Sequence, residues 1–298
     1  MRVALFSAAT TMCLVLCTAS SGSASSTTCW IVFPGFPGHG TLPAQLFRIS
    51  TSGTALRQIT SGVRAAEEPA FSPDGQRIAF TRVSAGIFVV EVDGSRLHRL
   101  TGDPDDRFPV WSPDGREIAF MHPVGQHLRP AIIGSNGHGQ RTLRLAPEPA
   151  GRPSWTADGK SLVIATPNGS LLRVDANTGR VRRLLRPRFM RGEGTPLWSL
   201  SPNGRWIALS ARRPEPPGCS GPACDVFAIF VSSVSSSRPR RLDDDGGGFP
   251  GWSPDSRRVV YATRGGIAVN AVIGGSRRLI PVDPRIVPAG DAPPAWQP

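Results

Sequence analysis

The chain has 298 residues, of which 39% are apolar, with 33 Gly, 30 Pro and a formal net charge of +12. That length and apolar content support a large core, whereas so much Gly and Pro calls for many turns and excludes an architecture of long helices. No segment approaches the ~20 apolar residues of a membrane helix, so a spanning segment is excluded and a soluble mature protein is expected.

The chain opens as a secretory signal does. Met1-Arg2 is a short basic start, Val3 to Leu16 is mostly apolar, and small residues follow from Ala19 to Ser26. Residues 1–24 are therefore set aside as a signal peptide, which predicts a secreted or periplasmic protein. A lipid-anchored form is the lesser alternative: Leu14-Val15-Leu16-Cys17 resembles a lipobox, but Leu16 stands where a small residue belongs. Residues 25–298 remain for the fold.

The mature chain begins with three β-rich runs, Cys29-Trp30-Ile31-Val32-Phe33, Gln45-Leu46-Phe47-Arg48-Ile49 and Leu56-Arg57-Gln58-Ile59-Thr60. A repeated unit follows. Pro69-Ala70-Phe71-Ser72-Pro73-Asp74-Gly75 returns as Pro109-Val110-Trp111-Ser112-Pro113-Asp114-Gly115, and more loosely as Pro153-Ser154-Trp155-Thr156-Ala157-Asp158-Gly159. Further copies are Pro196-Leu197-Trp198-Ser199 with Pro202-Asn203-Gly204, Pro250-Gly251-Trp252-Ser253-Pro254-Asp255, and a closing stub at Pro294-Ala295-Trp296-Gln297-Pro298. Taking the aromatics as 71, 111, 155, 198, 252 and 296, the spacings are 40, 44, 43, 54 and 44 residues. Periods in this range mean one propeller blade per repeat.

Within each unit, Asp-Gly separates two β-rich runs, as between Phe71 and Arg77-Ile78-Ala79-Phe80, because Gly accepts the positive φ a hairpin turn demands. A third run such as Ile87 to Val92 and a fourth such as Leu97 to Thr101 complete four strands, A to D. The first runs lack a strand A and the stub at Trp296 has nothing after it. The two ends thus make one blade, predicting an all-β, six-bladed propeller of four-stranded blades closed by pairing of the C-terminal strand with the N-terminal blade.

The repeat resembles the TolB-like, WD-repeat-like (WD40-like) propeller unit over residues 29–298. Related propellers also accompany peptidase domains of the prolyl-oligopeptidase type, and the resemblance implies a fold and an envelope setting more than an activity. No G-x-S-x-G elbow, H-E-x-x-H motif or P-loop is present, and the propeller consumes the length a hydrolase domain would need. The expected function is accordingly a non-enzymatic, monomeric module that binds a protein or peptide. A propeller lyase or hydrolase using polar residues at the channel mouth is the alternative.

The long B-to-C insertions Pro34 to Ala44, Met121 to Pro130 and Ala211 to Cys224 share one face with the D-to-A connectors, where binding is expected. Charge is distributed with a pattern. Arginines such as Arg57, Arg99, Arg141, Arg182, Arg240 and Arg277 fall on strand D, the outer edge of each blade, where they oppose edge-to-edge pairing. Such a belt is no single basic patch, so nucleic acid is not an expected partner. The D-to-A connectors are acidic, with Glu67, Glu68, Asp103, Asp105, Asp106, Asp243, Asp244 and Asp245 outweighing bases such as Arg107 and Arg152. This rim is expected either to attract a cation such as calcium or a basic segment, or simply to supply turn residues. Cys219 and Cys224 are the disulfide candidate, which leaves Cys29 a free thiol. His39, His122 and His127 fall in long loops of one face, as structural residues or, less directly, as metal ligands.

Overall fold

In the computed structural model the described residues are 29–298 apart from 39, 146–148, 168–169, 186–196, 213–226, 237, 245–247, 264, 276 and 290–293. They form six antiparallel sheets, and no helix among them is long and apolar enough to cross a membrane. Blade 2 shows the pattern, with strands A to D at Ala66–Phe71, Arg77–Arg82, Gly86–Glu91 and His98–Arg99. Blades 3 to 6 repeat it from Arg107, Ala150, Leu197 and Gly251. In blade 1, strands B to D are Trp30–Phe36, Gln45–Ser50 and Arg57–Gln58.

Strand A of blade 1 comes from the C-terminus in two pieces. Val287–Pro288 pairs with Gly35 and Phe36, and Ala295–Trp296 pairs with Ile31 and Val32. The stub is the inner half of the predicted closing strand, and the upper half, which carries no repeat motif, joins it. Gln297 locks the seam: its backbone N–H donates to the Trp30 carbonyl at 2.9 Å, and its side-chain amide donates to the Gly75 carbonyl of blade 2 at 3.0 Å.

Successive side chains of a strand point to opposite faces, and in a ring of radial sheets both faces meet a neighbouring blade. Ile31 and Phe33 accordingly pack with Val260 and Ile267 of blade 6, whereas Val32 packs with Phe71 and Ile78 of blade 2. Six such clusters fill the six interfaces between blades. The core is therefore distributed around the ring. The strand D arginines lie mostly exposed at the outer edge, as their edge position demands, and several inter-blade ties come from arginine: Arg48 Nη1 donates to Val92 O at 2.9 Å and Arg278 Nη2 to Ser52 O at 3.2 Å.

Each residue of the repeat has a structural task. In blade 3, Ser112 Oγ donates to Asp114 Oδ1 at 2.6 Å, and the Arg116 and Glu117 N–H groups donate to Asp114 Oδ1 and Ser112 Oγ. Gly115 supplies the φ of 70° that closes the turn. The Ser112 hydroxyl, then the Arg116 N–H, hold the Asp114 carboxyl below its ordinary value. The Trp111 indole N–H reaches back to the Ala70 carbonyl of blade 2 at 3.1 Å, Trp155 does the same to Val110 at 3.1 Å, and Trp252 to Ser199 at 3.2 Å.

Blade 5 is registered differently from its sequence match. Ser201 Oγ donates to Asn203 Oδ1 at 2.8 Å, so Ser201-Pro202-Asn203-Gly204 is the turn and Leu200 occupies the aromatic position. Trp198 stands where other blades have proline, buried against Leu171 and Ile207. The segment Met121 to Pro130 also differs from the expected loop. It continues strands B and C of blade 3 as a paired hairpin, with Met121 opposite Pro130 and Val124 opposite His127 around Gly125 at φ 61°. Ladder hydrogen bonds explain why it pairs: an unpaired backbone of that length would need other partners. Cys29 is disulfide-bonded and not the free thiol expected. The candidate pair Cys219 and Cys224 lies outside the described residues.

Gly251 is a glycine because the closing segment crosses it. A Cβ there would lie 2.1 Å from the Pro294 carbonyl oxygen. Gly251→Ala is expected to cost about 1–3 kcal/mol through overpacking at the seam. Thermal unfolding checks this, and an unchanged melting temperature would show that the segment does not press on blade 6.

Candidate functional site: the axial channel

The inner strands of all six blades enclose a cavity of about 430 Å³. Its wall is the repeat itself. Pro69, Pro109, Pro153, Pro250 and Pro294 stand toward the D-to-A end, and Pro73, Pro113, Pro202, Pro254 and Pro298 toward the turn end. Strand A is the free inner edge of each sheet, and proline removes the N–H groups that would otherwise invite another strand. The wall between the two tiers includes Ala70, Val110, Ser154, Gly251, Ala295 and the edges of the tryptophans.

Among the described residues one lining side chain is charged, Arg152. It precedes the proline of blade 4, in the position held by Glu68 in blade 2, Phe108 in blade 3 and Phe249 before blade 6. Register shifts between Glu67 and Ala70, Arg107 and Val110, and Ala150 and Ser154 mark a bulge in this tier of each strand. Glu68 and Phe108 take φ of 58° and 61° there, and in blade 4 the left-handed residue is Gly151, at 81°. Bulges re-aim side chains at rims. The Arg152 guanidinium carbon lies 5.5 Å from the Phe108 ring centre and 5.3 Å from that of Phe249, so it spans from blade 3 toward blade 6 across the channel mouth.

Burial lowers the Arg152 pKa from its ordinary value, with the Glu68 carboxylate acting in the opposite sense. Glu68 is itself buried. Its Oε2 accepts from Thr81 Oγ1 at 2.6 Å and from the Phe108 N–H at 2.8 Å, which ties blade 2 to blade 3. Among the described residues Arg152 has no hydrogen bond and no ion pair.

The eight predicted rim acids separate into different settings. Glu67, Glu68, Asp105 and Asp106 border a pocket of about 210 Å³ together with Thr81 and Arg107. Asp106 is fully buried and 2.7 Å from His122 Nδ1; burial pushes its carboxyl up, and the His122 bond opposes that. Asp103 caps a turn through the Asp105 N–H at 2.9 Å. Asp243 lies on the outer strand of blade 5, where it accepts the Tyr261 hydroxyl and pairs with Arg277 at 2.8 Å. Asp244 pairs with Arg241 at 3.2 Å, and Asp245 lies outside the described residues. Among the described residues no group of three or more His, Cys, Asp or Glu gathers as a metal site. His122 is committed to Asp106, and His39 lies outside the described residues.

Arg152, Phe108 and Phe249 are the residues that the sequence pattern did not single out. Their signal is the position before the repeat's proline, which changes chemical kind from blade to blade while its neighbours recur.

Six four-stranded blades around an axial channel define a β-propeller. More particularly, the chain belongs to the TolB beta propeller domain family, which it matches over residues 45–219. It is similar to the uncharacterized peptidase YuxL of Bacillus subtilis, with 27% identity over 177 residues, covering 57% of this chain and 25% of that protein. It also matches the uncharacterized protein Atu1656 of Agrobacterium fabrum, 32% identical over 123 residues that cover 36% of this chain and 42% of the other. The chain thus spans less than half the length of these curated relatives. Among solved structures, TolB from Acinetobacter baumannii superposes with a TM-score of 0.66 at 20% identity, covering 91% of this chain and 67% of that one.

Proposed function

We propose that this protein is a non-enzymatic binding module of the cell envelope whose ligand is a peptide or protein segment received in the axial channel. One observation carries the reading: a cavity of about 430 Å³, walled by proline and tryptophan, with a single charged side chain among the described residues that line it. That volume lies in the range of pockets built for ligands, and an apolar wall with few polar groups is their usual composition. The signal-like start of the chain and its TolB-type family support an envelope setting. The five residues from Pro69 to Pro73, the end of strand A and the start of its turn, span about 13 Å, which is room for three or four residues of an extended chain.

Equilibrium dialysis of a mixed tetrapeptide pool against the intact protein and against Ser154→Trp, which fills the channel, tests this. The intact protein is expected to retain peptides that the filled variant releases. Equal retention by both, or none by either, would remove the channel as the binding site.

A further inference from the structure

We propose that Arg152 anchors the free C-terminal carboxylate of a peptide that enters the channel end first; this rests on the channel reading and adds the group that is recognised. The argument begins with what holds the guanidinium. Phe108 and Phe249 attract it through their ring faces at 5.5 and 5.3 Å. Aromatic faces steady a cation but leave its five in-plane N–H donors unused. Among the described residues no acceptor takes them. Glu68 attracts Arg152 through space, yet its Oε2 is engaged by Thr81 and by the Phe108 N–H.

Arg152 is half-buried at the channel mouth with its donors turned to no acceptor among the described residues, and a planar carboxylate that accepts two parallel N–H bonds is the group that matches its fork. The rest of the lining selects what carries that carboxylate. Prolines at both tiers prevent a ligand from pairing along the inner strand edges, so main-chain pairing cannot supply the affinity. Recognition is left to the apolar wall and to the end group. A bare small carboxylate would satisfy Arg152 and leave most of the 430 Å³ unfilled, whereas a chain end with apolar residues covers both.

The test uses two tetrapeptide pools of the same random composition, one with free C-terminal carboxylates and one with C-terminal amides, together with benzoate as a small carboxylate. Each is dialysed against the intact protein, Arg152→Gln and Arg152→Lys. The intact protein is expected to retain the acid pool about tenfold or more over the amide pool, the effect of losing a charge-assisted pair. Arg152→Gln should retain the two pools equally, and Arg152→Lys should keep a reduced preference for the acid. Equal retention of acid and amide pools by the intact protein overturns the carboxylate anchor while leaving the channel reading in place. An acid preference that survives in Arg152→Gln overturns the role of Arg152. Benzoate held as tightly as the acid peptides assigns the site to small anions and overturns the chain end. Retention of no pool overturns both proposals. The comparison of acid with amide on the intact protein needs no variant, so it stands even where a substitution unfolds the ring.

Discussion

Deleting residues 294–298 is expected to lower stability by roughly 4–6 kcal/mol, from the partial burial of Trp296 and the hydrogen bonds of the seam. At this chain size that is a fall of about 10–20 °C in melting temperature. The estimate follows from what the five residues touch. Trp296 packs on the cluster shared by blades 1 and 6, Ala295 and Trp296 pair with Val32 and Ile31, and Gln297 reaches both Trp30 and Gly75. The deletion also exposes the edge of Trp30–Phe36, so the truncated protein should self-associate on size exclusion. Gln297→Ala, which keeps the tryptophan, should show only a small part of the loss. A truncated protein that melts within a degree or two of the intact one would mean that the ring is held elsewhere.

Much of this architecture is legible in the sequence because the repeat consists of residues whose physical roles are local. Asp114 and Gly115 make their turn whatever lies around them, and the recurrence of that turn marks each blade. Closure is legible for the same reason at Trp296, but not at Val287–Pro288, which pairs with Gly35 and Phe36 without any motif. Blade 5 misleads because Trp198 mimics the repeat while the turn at Ser201 sets Leu200 in the aromatic place. The candidate site is less legible. Acids in the connectors read as one rim, yet Asp106 is buried on His122 and Asp243 serves Tyr261 and Arg277 at the outside of the ring. Burial and partnership depend on how the connectors fold back, and residue type does not carry that. In the sequence Arg152 is one of several connector bases. Only the bulge before Pro153 turns it into the channel, and a bulge is a backbone event that a single copy of the repeat does not announce.

The tryptophan ties define the second large effect. Trp111→Ala is expected to destabilise by about 3–5 kcal/mol, the range for truncating a buried large aromatic. Trp111 is 5% exposed and packs with Ile87, Leu100 and Phe120, so little around it can collapse into the space. Two further ties are lost with it: the bond from its indole N–H to Ala70 O at 3.1 Å, and the Arg77 guanidinium lying 4.6 Å from its ring centre. Trp111→Phe separates these effects. It keeps a ring for Arg77 and most of the packing but leaves the Ala70 carbonyl without its donor, at an expected cost of about 1–3 kcal/mol. The protein already does without the bond at two places of its own ring, since Phe71 and Leu200 hold the equivalent position in blades 2 and 5 without an N–H to offer. Blade interfaces thus tolerate loss of the bond where packing is kept. If Trp111→Phe proves as damaging in chemical denaturation as Trp111→Ala, the indole bond and not the packing governs the interface, and the substitutions at Phe71 and Leu200 would then have to be compensated by contacts elsewhere in their blades.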